Sequence, residues 1–117
     1  MTNRPSEEKI IELIAKAAEN KLAIDVKVLD VRKTSNLLDF LIICGGESEP
    51  QLKAISGEID DQLRKAGIKG FRWQGVHGSG WLILDLGSIV VHILGVVERE
   101  YYNLEELWGR EAIIYHY

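Results

Sequence analysis

Between Gly78 and Gly109 the chain reads GSGWLILDLGSIVVHILGVVEREYYNLEELWG, and it sets Trp81, Asp85 and His92 on two neighbouring strand-like runs. Asp85 and His92 near Ser79 or Ser88 could form an acyl-transfer dyad. A serine nucleophile also needs an oxyanion hole and a strained elbow, and no G-x-S-x-G occurs; Gly78-Ser79-Gly80 reads as a loop. His77, His92 and His116 have neither H-x-x-x-H spacing nor cysteine partners, so no metal site is expected. The Cys44-Gly45-Gly46-Glu47-Ser48 junction could offer backbone N–H groups to a phosphate at a helix start. It matches no phosphate-loop pattern, and Glu47 and Glu49 repel an anion, so a tight strand-to-helix turn is the simpler reading. Nucleotidyl transfer needs a second carboxylate beside Asp85 to hold magnesium, and its neighbours are Leu84 and Leu86. Catalytic residues and a cofactor are therefore not expected. A nucleotide-binding, nucleotidyltransferase-like enzyme using the Gly45-Gly46 turn is kept as the alternative function.

The same stretch is better suited to contact. Trp81 enters its strand straight after a flexible Gly-Ser-Gly, and alternation puts Trp81, Ile83 and Asp85 on one face. A face bearing Asp85 is not uniformly core, although Asp85 could equally make a structural hydrogen bond at the turn. His92 alternates with Val91 and Ile93 in the next strand, where a satisfied structural histidine is the bland reading. Projected as one helix, residues 97–108 place Tyr101, Leu104 and Trp108 on a core-facing stripe with Leu107 beside it. Arg99, Tyr102 and Glu106 fall on a different face. Tryptophan, tyrosine and arginine dominate binding hot spots, which makes that second face a candidate contact surface.

The elements that must position these residues are legible upstream. Residues 6–19 read as a helix capped by Ser6, with Ile10, Leu13, Ile14 and Ala17 inward and Ile11 and Ala18 at the edge. Ile24 to Val31 alternates as a strand, and Asp39 to Cys44 is a continuous apolar run expected of a central strand covered on both faces. Ser48-Glu49-Pro50-Gln51 is a capping-box pattern, followed by the stripe Leu52, Ile55, Ile59, Leu63 and Ala66; Gly67 closes this helix. Phe71 to Val76 is a short strand. Trp81 to Leu86 and Ile89 to Leu94 form a hairpin across Gly87-Ser88. The strand–helix–strand unit predicts a parallel pair. The expectation is one α/β domain over residues 1–117, a mixed sheet of about five strands with flanking helices.

Bulk properties narrow the function classes. With 117 residues, 46% hydrophobic and 27% charged, the chain has enough apolar surface for one core. No apolar run reaches bilayer-spanning length, and MTNRPSEEKI lacks the pattern of a secretory signal, so a cytoplasmic place is expected. The single cysteine, Cys44, lies in an apolar run and reads as a core residue in a reducing compartment. A net charge of −4 with scattered Lys and Arg argues against primary nucleic-acid binding and suits a basic protein partner.

The chain resembles the ribosomal silencing factor S family, also called the Iojap family. The resemblance rests on GWLILDLGSIVVHIL (Gly80 to Leu94) and REYYNLEELW (Arg99 to Trp108), supported by Asn20 to Val31 and Ser35 to Gly46. It implies a nucleotidyltransferase-like α/β fold without the catalytic carboxylates. It further implies binding to the large ribosomal subunit through its fourteenth L-series protein, at the face that meets the small subunit. Bulk placed there blocks subunit joining and lowers translation when nutrients are scarce; a homodimer of the free protein is also implied. Carried onto matching motif positions, the partner-binding candidates are Trp81, Asp85, His92, Leu94, Arg99 and Tyr102. Of these, Trp81, Leu94 and Tyr102 are expected as apolar anchors. Ser88 stands where many relatives have aspartate, and Leu37 and Leu38 replace the small or polar residues usual before Asp39. The apolar tail, Glu111 to Tyr117, suits either packing back on the domain or supporting a dimer.

Overall fold

A computed structural model describes residues 5–75 and 78–116. The elements run α1 (Glu7–Asn20), β1 (Ile24–Asp30), β2 (Phe40–Gly46), α2 (Glu49–Lys65), β3 (Arg72–Gln74), β4 (Trp81–Asp85) and β5 (Ile89–Gly95), then α3 (Val96–Tyr102), α4 (Leu104–Trp108), a 3-10 turn (Arg110–Ala112) and β6 (Ile113–His116). They build one mixed sheet in the order β3-β4-β5-β2-β1-β6. The α/β class is as expected, with six strands in place of about five. The added strand comes from the tail, which packs back on the fold by pairing antiparallel with β1, Val28 opposite Tyr115. Val76, the end of the expected third strand, and His77 lie outside the described residues.

Both long helices start where their caps are written. Ser6 Oγ accepts the Lys9 N–H, and Ser48 Oγ accepts the Gln51 N–H. The reciprocal half of the Ser48–Gln51 capping box is displaced by one residue, since Gln51 Oε1 takes the N–H of Glu47. The Gln51 amide then donates to the carbonyls of Lys21 and Leu22, which ties the end of α1 to the start of α2. In α1 the buried arc is Ile10, Ile11, Ile14, Ala15, Ala17 and Ala18, with Leu13 only half-buried. The arc is turned from the expected stripe because α1 packs against α2 as well as the sheet.

The parallel pair is real, but its members differ from those expected. After α2 the chain reaches β3 at the far edge, and β2 instead pairs in parallel with β5, from Phe40 opposite Ile89 to Gly46 opposite Gly95. The β4–β5 hairpin fills the gap between them, because its strands carry alternating apolar residues that complete the sheet. β2 thereby becomes central and is buried along its whole length.

The two sheet faces are unequal. One bears Val26, Val28, Ile42, Cys44, Leu84, Val91 and Ile93, which form the main core with α1 and α2. Burial pushes the Cys44 thiol pKa up to about 12, so it stays protonated and inert. The opposite face carries a smaller cluster of Leu29, Leu41, Ile43 and Leu94, roofed by Leu104 with Trp108 and Ala112 packed against it. That roof covers the β1–β2 side. On the β3–β4 side Ile83 and Asp85 keep partial exposure, and Arg72 and Gln74 are exposed.

Candidate functional site

Register brings the sequence candidates onto the less-covered face. Trp81 lies opposite Leu94, Ile83 opposite His92, and Asp85 opposite Val90. Directly paired residues in an antiparallel ladder point to the same side, so all six share it. The Trp81 ring centroid stands 4.5 Å from that of Tyr102 and 5.7 Å from that of His92. Tyr101 meets Tyr102 edge-on at 5.0 Å. Trp81 Nε1–H donates to His92 Nδ1 at 3.0 Å. Burial lowers the His92 pKa to about 4, so the ring is neutral at physiological pH.

Strand and helix meet here because the chain turns without a linker. Gly95 is both the last residue of β5 and the N-cap of α3, and its N–H is held by the Gly80 carbonyl at 2.8 Å. The Glu98 carboxylate folds back over Gly80 and Gly95, and a Cβ on Gly80 would stand 2.5 Å from it. Gly80 also has φ +76°, so a side chain there would strain the backbone and push the flexible Glu98 carboxylate aside.

The tail is two short helices rather than one. Asn103 adopts φ +45° and ends α3, its N–H bonded to the Arg99 carbonyl; α4 restarts at Leu104. This break overturns the single-helix projection. Tyr101 and Leu107, expected on the core stripe, are 79% and 75% exposed, while Leu104 is buried and Trp108 half-buried. Val97 at 73% and Tyr102 at 49% add to the exposed apolar surface.

Two candidates point inward. Leu94, expected as an apolar anchor, is wholly buried in the smaller cluster, because β2 and the roof formed by Leu104 close on it. Arg99, expected on a free face, donates to the carbonyls of Ile24 at 2.8 Å and Asp25 at 2.7 Å and to Glu105 at 3.2 Å. Lys27 Nζ reaches the same Glu105 oxygen at 3.4 Å. Burial alone would raise the Glu105 pKa; the Arg99 charge and the hydrogen bonds it receives outweigh this and leave it lowered. Asp85 is half-buried, and its Oδ1 caps the hairpin turn by accepting the Gly87 N–H at 2.8 Å. The Lys27–Arg99–Glu105 group escaped the sequence reading because its members lie on three separate elements. Ile83 was visible through strand alternation.

The Gly45-Gly46 region has a different chemistry from a phosphate cradle. The hollow there is about 330 Å³ and is lined by Glu47, Glu49 and Glu98 among glycines and apolar side chains. The N–H of Gly78, which lines the hollow from the segment before β4, is taken by the Glu49 carboxylate at 2.8 Å. A polyphosphate would meet carboxylates rather than N–H groups.

The family model "Ribosomal silencing factor during starvation" matches residues 4–115. The chain belongs to the ribosomal silencing factor family. The ribosomal silencing factor RsfS of Bacillus subtilis is 39% identical over 104 residues, which cover 89% of this chain and 88% of that one. The chloroplastic protein Iojap of Zea mays is 38% identical over 101 residues, 86% of this chain and 44% of the maize protein. A crystal structure of a Chromobacterium violaceum protein superposes with TM-score 0.85 at 30% identity, covering 90% of this chain and 88% of that one. A second, from Bacillus halodurans, gives TM-score 0.80 at 35% identity over 93% of this chain and 99% of that one. As in other ribosomal silencing factors, translation regulation is the setting in which the aromatic face is to be read. Among the described residues, no helix is long and apolar enough to cross a membrane.

Proposed function

We propose that this silencing factor docks on the large ribosomal subunit through the fourteenth L-series protein and thereby blocks joining of the small subunit. The observation that carries the reading is the packed but uncovered aromatic group: Trp81 and Tyr102 at 4.5 Å, with exposed Tyr101 edge-on against Tyr102 at 5.0 Å. Exposed aromatic side chains packed together at one corner supply the anchor chemistry of a protein interface. The net charge of −4 favours a basic partner through electrostatic steering. Trp81 and Tyr102 are the anchors in this reading, with His92 and Asp85 at their margin. Leu94 and Arg99 act from beneath, by holding the hairpin and α3 in place.

Inhibition requires no turnover, cofactor or membrane. The domain's bulk occupies the place of the small subunit, and the action is cytoplasmic. In the free protein the same apolar corner is available to a second copy. Co-sedimentation with isolated large subunits, followed by a subunit-joining assay, tests the reading. Binding together with a dose-dependent loss of joined ribosomes is expected. Binding without any effect on joining would overturn the steric mechanism. ATP with magnesium gives the contrasting test: binding that depends on Gly46 or Asp85 would support the enzymatic alternative.

A further inference from the structure

We propose that Trp81 locks His92 in a single tautomer, so that the docking face presents His92 Nε2–H as a donor to a main-chain carbonyl of the bound protein. The inference rests on the docking reading above and adds a direction to one of its contacts. An indole N–H can only donate, so the 3.0 Å bond makes His92 Nδ1 the acceptor. A neutral imidazole carries one proton, which is thereby placed on Nε2. Ring protonation would set two donors against each other, so the bond also favours the neutral ring.

The Nε2 position keeps contact with solvent. Among the described residues, Glu105 Oε1 is the one buried side-chain nitrogen or oxygen left without a hydrogen-bond partner. His92 Nε2 makes no protein hydrogen bond and is absent from that class, so it reaches solvent. It emerges on the face shared by Ile83 and Trp81, with Tyr102 against the indole. A donor in this position selects an acceptor. Asp85 on the same face and the net negative charge disfavour a carboxylate or phosphate there and favour a neutral acceptor, of which the peptide carbonyl is the one that every residue of a protein partner carries.

The glutamine variant isolates this polarity. In His92→Gln the side-chain carbonyl can accept from Trp81 while its amide NH₂ donates outward. His92→Phe keeps a ring of similar size with neither function, and His92→Glu offers acceptors in both directions. Nitrogen-15 NMR of histidine-labelled full-length protein is expected to show His92 as the Nε2–H tautomer alone, and Trp81→Phe to release a mixture. In co-sedimentation with isolated large subunits, His92→Gln is expected within about 3-fold of the parent, and His92→Phe about 10-fold weaker, since it strands an acceptor. His92→Glu is expected to be weaker still. An Nδ1–H tautomer in the parent overturns the lock. Equal binding by His92→Phe, or by His92→Glu if the phenylalanine variant fails to fold, overturns the carbonyl contact while leaving the docking reading intact. Parent protein that does not bind large subunits at all overturns the docking reading and the carbonyl contact together, whatever the NMR shows.

Discussion

Arg99 Nη2 lies 3.2 Å from Glu105 Oε2 across the break at Asn103, and both side chains are almost wholly buried. Arg99 also holds the carbonyls of Ile24 and Asp25, where β1 departs from regular register. Lys27 completes the group from the face of β1. This ion network clamps α3 and α4 to the sheet without apolar burial of α3, none of whose residues is buried. The helix can therefore leave Tyr101 and Tyr102 exposed and still be held in one position.

Removing Glu105 should be costly, because Arg99 and Lys27 would remain buried without their counter-charge. Breaking such a pair typically costs about 3–5 kcal/mol. Glu105→Ala is expected to lower the urea midpoint by a corresponding amount, and Glu105→Gln by less, since its carbonyl oxygen can still accept. Equal stability of parent and alanine variant would show that the network does not clamp the tail.

The surface anchors should separate from their support. Trp81→Ala or Tyr102→Ala is expected to weaken large-subunit binding by about 2 kcal/mol or more. Leu94→Ala instead creates a cavity, with an expected stability loss of about 2–5 kcal/mol. Denaturation curves and co-sedimentation, run on the same three variants, distinguish the two. A folded Trp81→Ala protein with unchanged affinity would remove Trp81 from the interface.

Stability should fall on mild acidification through His92. Its folded pKa is lowered to about 4 from an ordinary value of 6.5, so the unfolded chain binds the proton first. The His92 penalty is absent above pH 6.5, grows as pH falls, and stops growing below about pH 4. At pH 5 it amounts to about 2 kcal/mol. Urea unfolding at pH 7 and pH 5 is expected to show this loss in the parent and not in His92→Gln. Identical pH profiles for the two proteins would contradict the assignment.

Asn103 should tolerate glycine and resist alanine. Its φ of +45° is costly for a residue with an ordinary Cβ and free for glycine. Asn103→Ala is expected to lose about 1 kcal/mol in thermal unfolding, and Asn103→Gly to stay near the parent. A stable alanine variant would mean that α3 and α4 can fuse.

Local signals were read correctly where the physics is local. Ser6 and Ser48 cap their helices, Cys44 is buried in a central strand, and Gly87-Ser88 lies in the turn of a hairpin. The motifs at Gly80 to Leu94 and Arg99 to Trp108 were enough to place the family, since the order and spacing of residues survive without coordinates. The candidate site was only half legible. Alternation put Trp81, Ile83 and Asp85 on one face, but nothing in it told how much of that face the tail would roof.

Helix periodicity failed at Asn103, because one left-handed residue resets the phase and moves Tyr101 and Leu107 from the supposed core to the surface. Leu94 and Arg99 have side chains that serve equally well outside or inside. Contacts more than 70 residues away, from Arg99 to Ile24 and Asp25, placed Arg99 inside. The same holds for β6, whose apolar tail residues found an edge only once β1 was in the sheet. Sequence alone settled the elements, their caps and the kinship, all of which depend on near neighbours and residue order. Tertiary structure decided the parallel partner of β2, the open face and the inward arginine, because burial depends on what the rest of the chain lays against a residue.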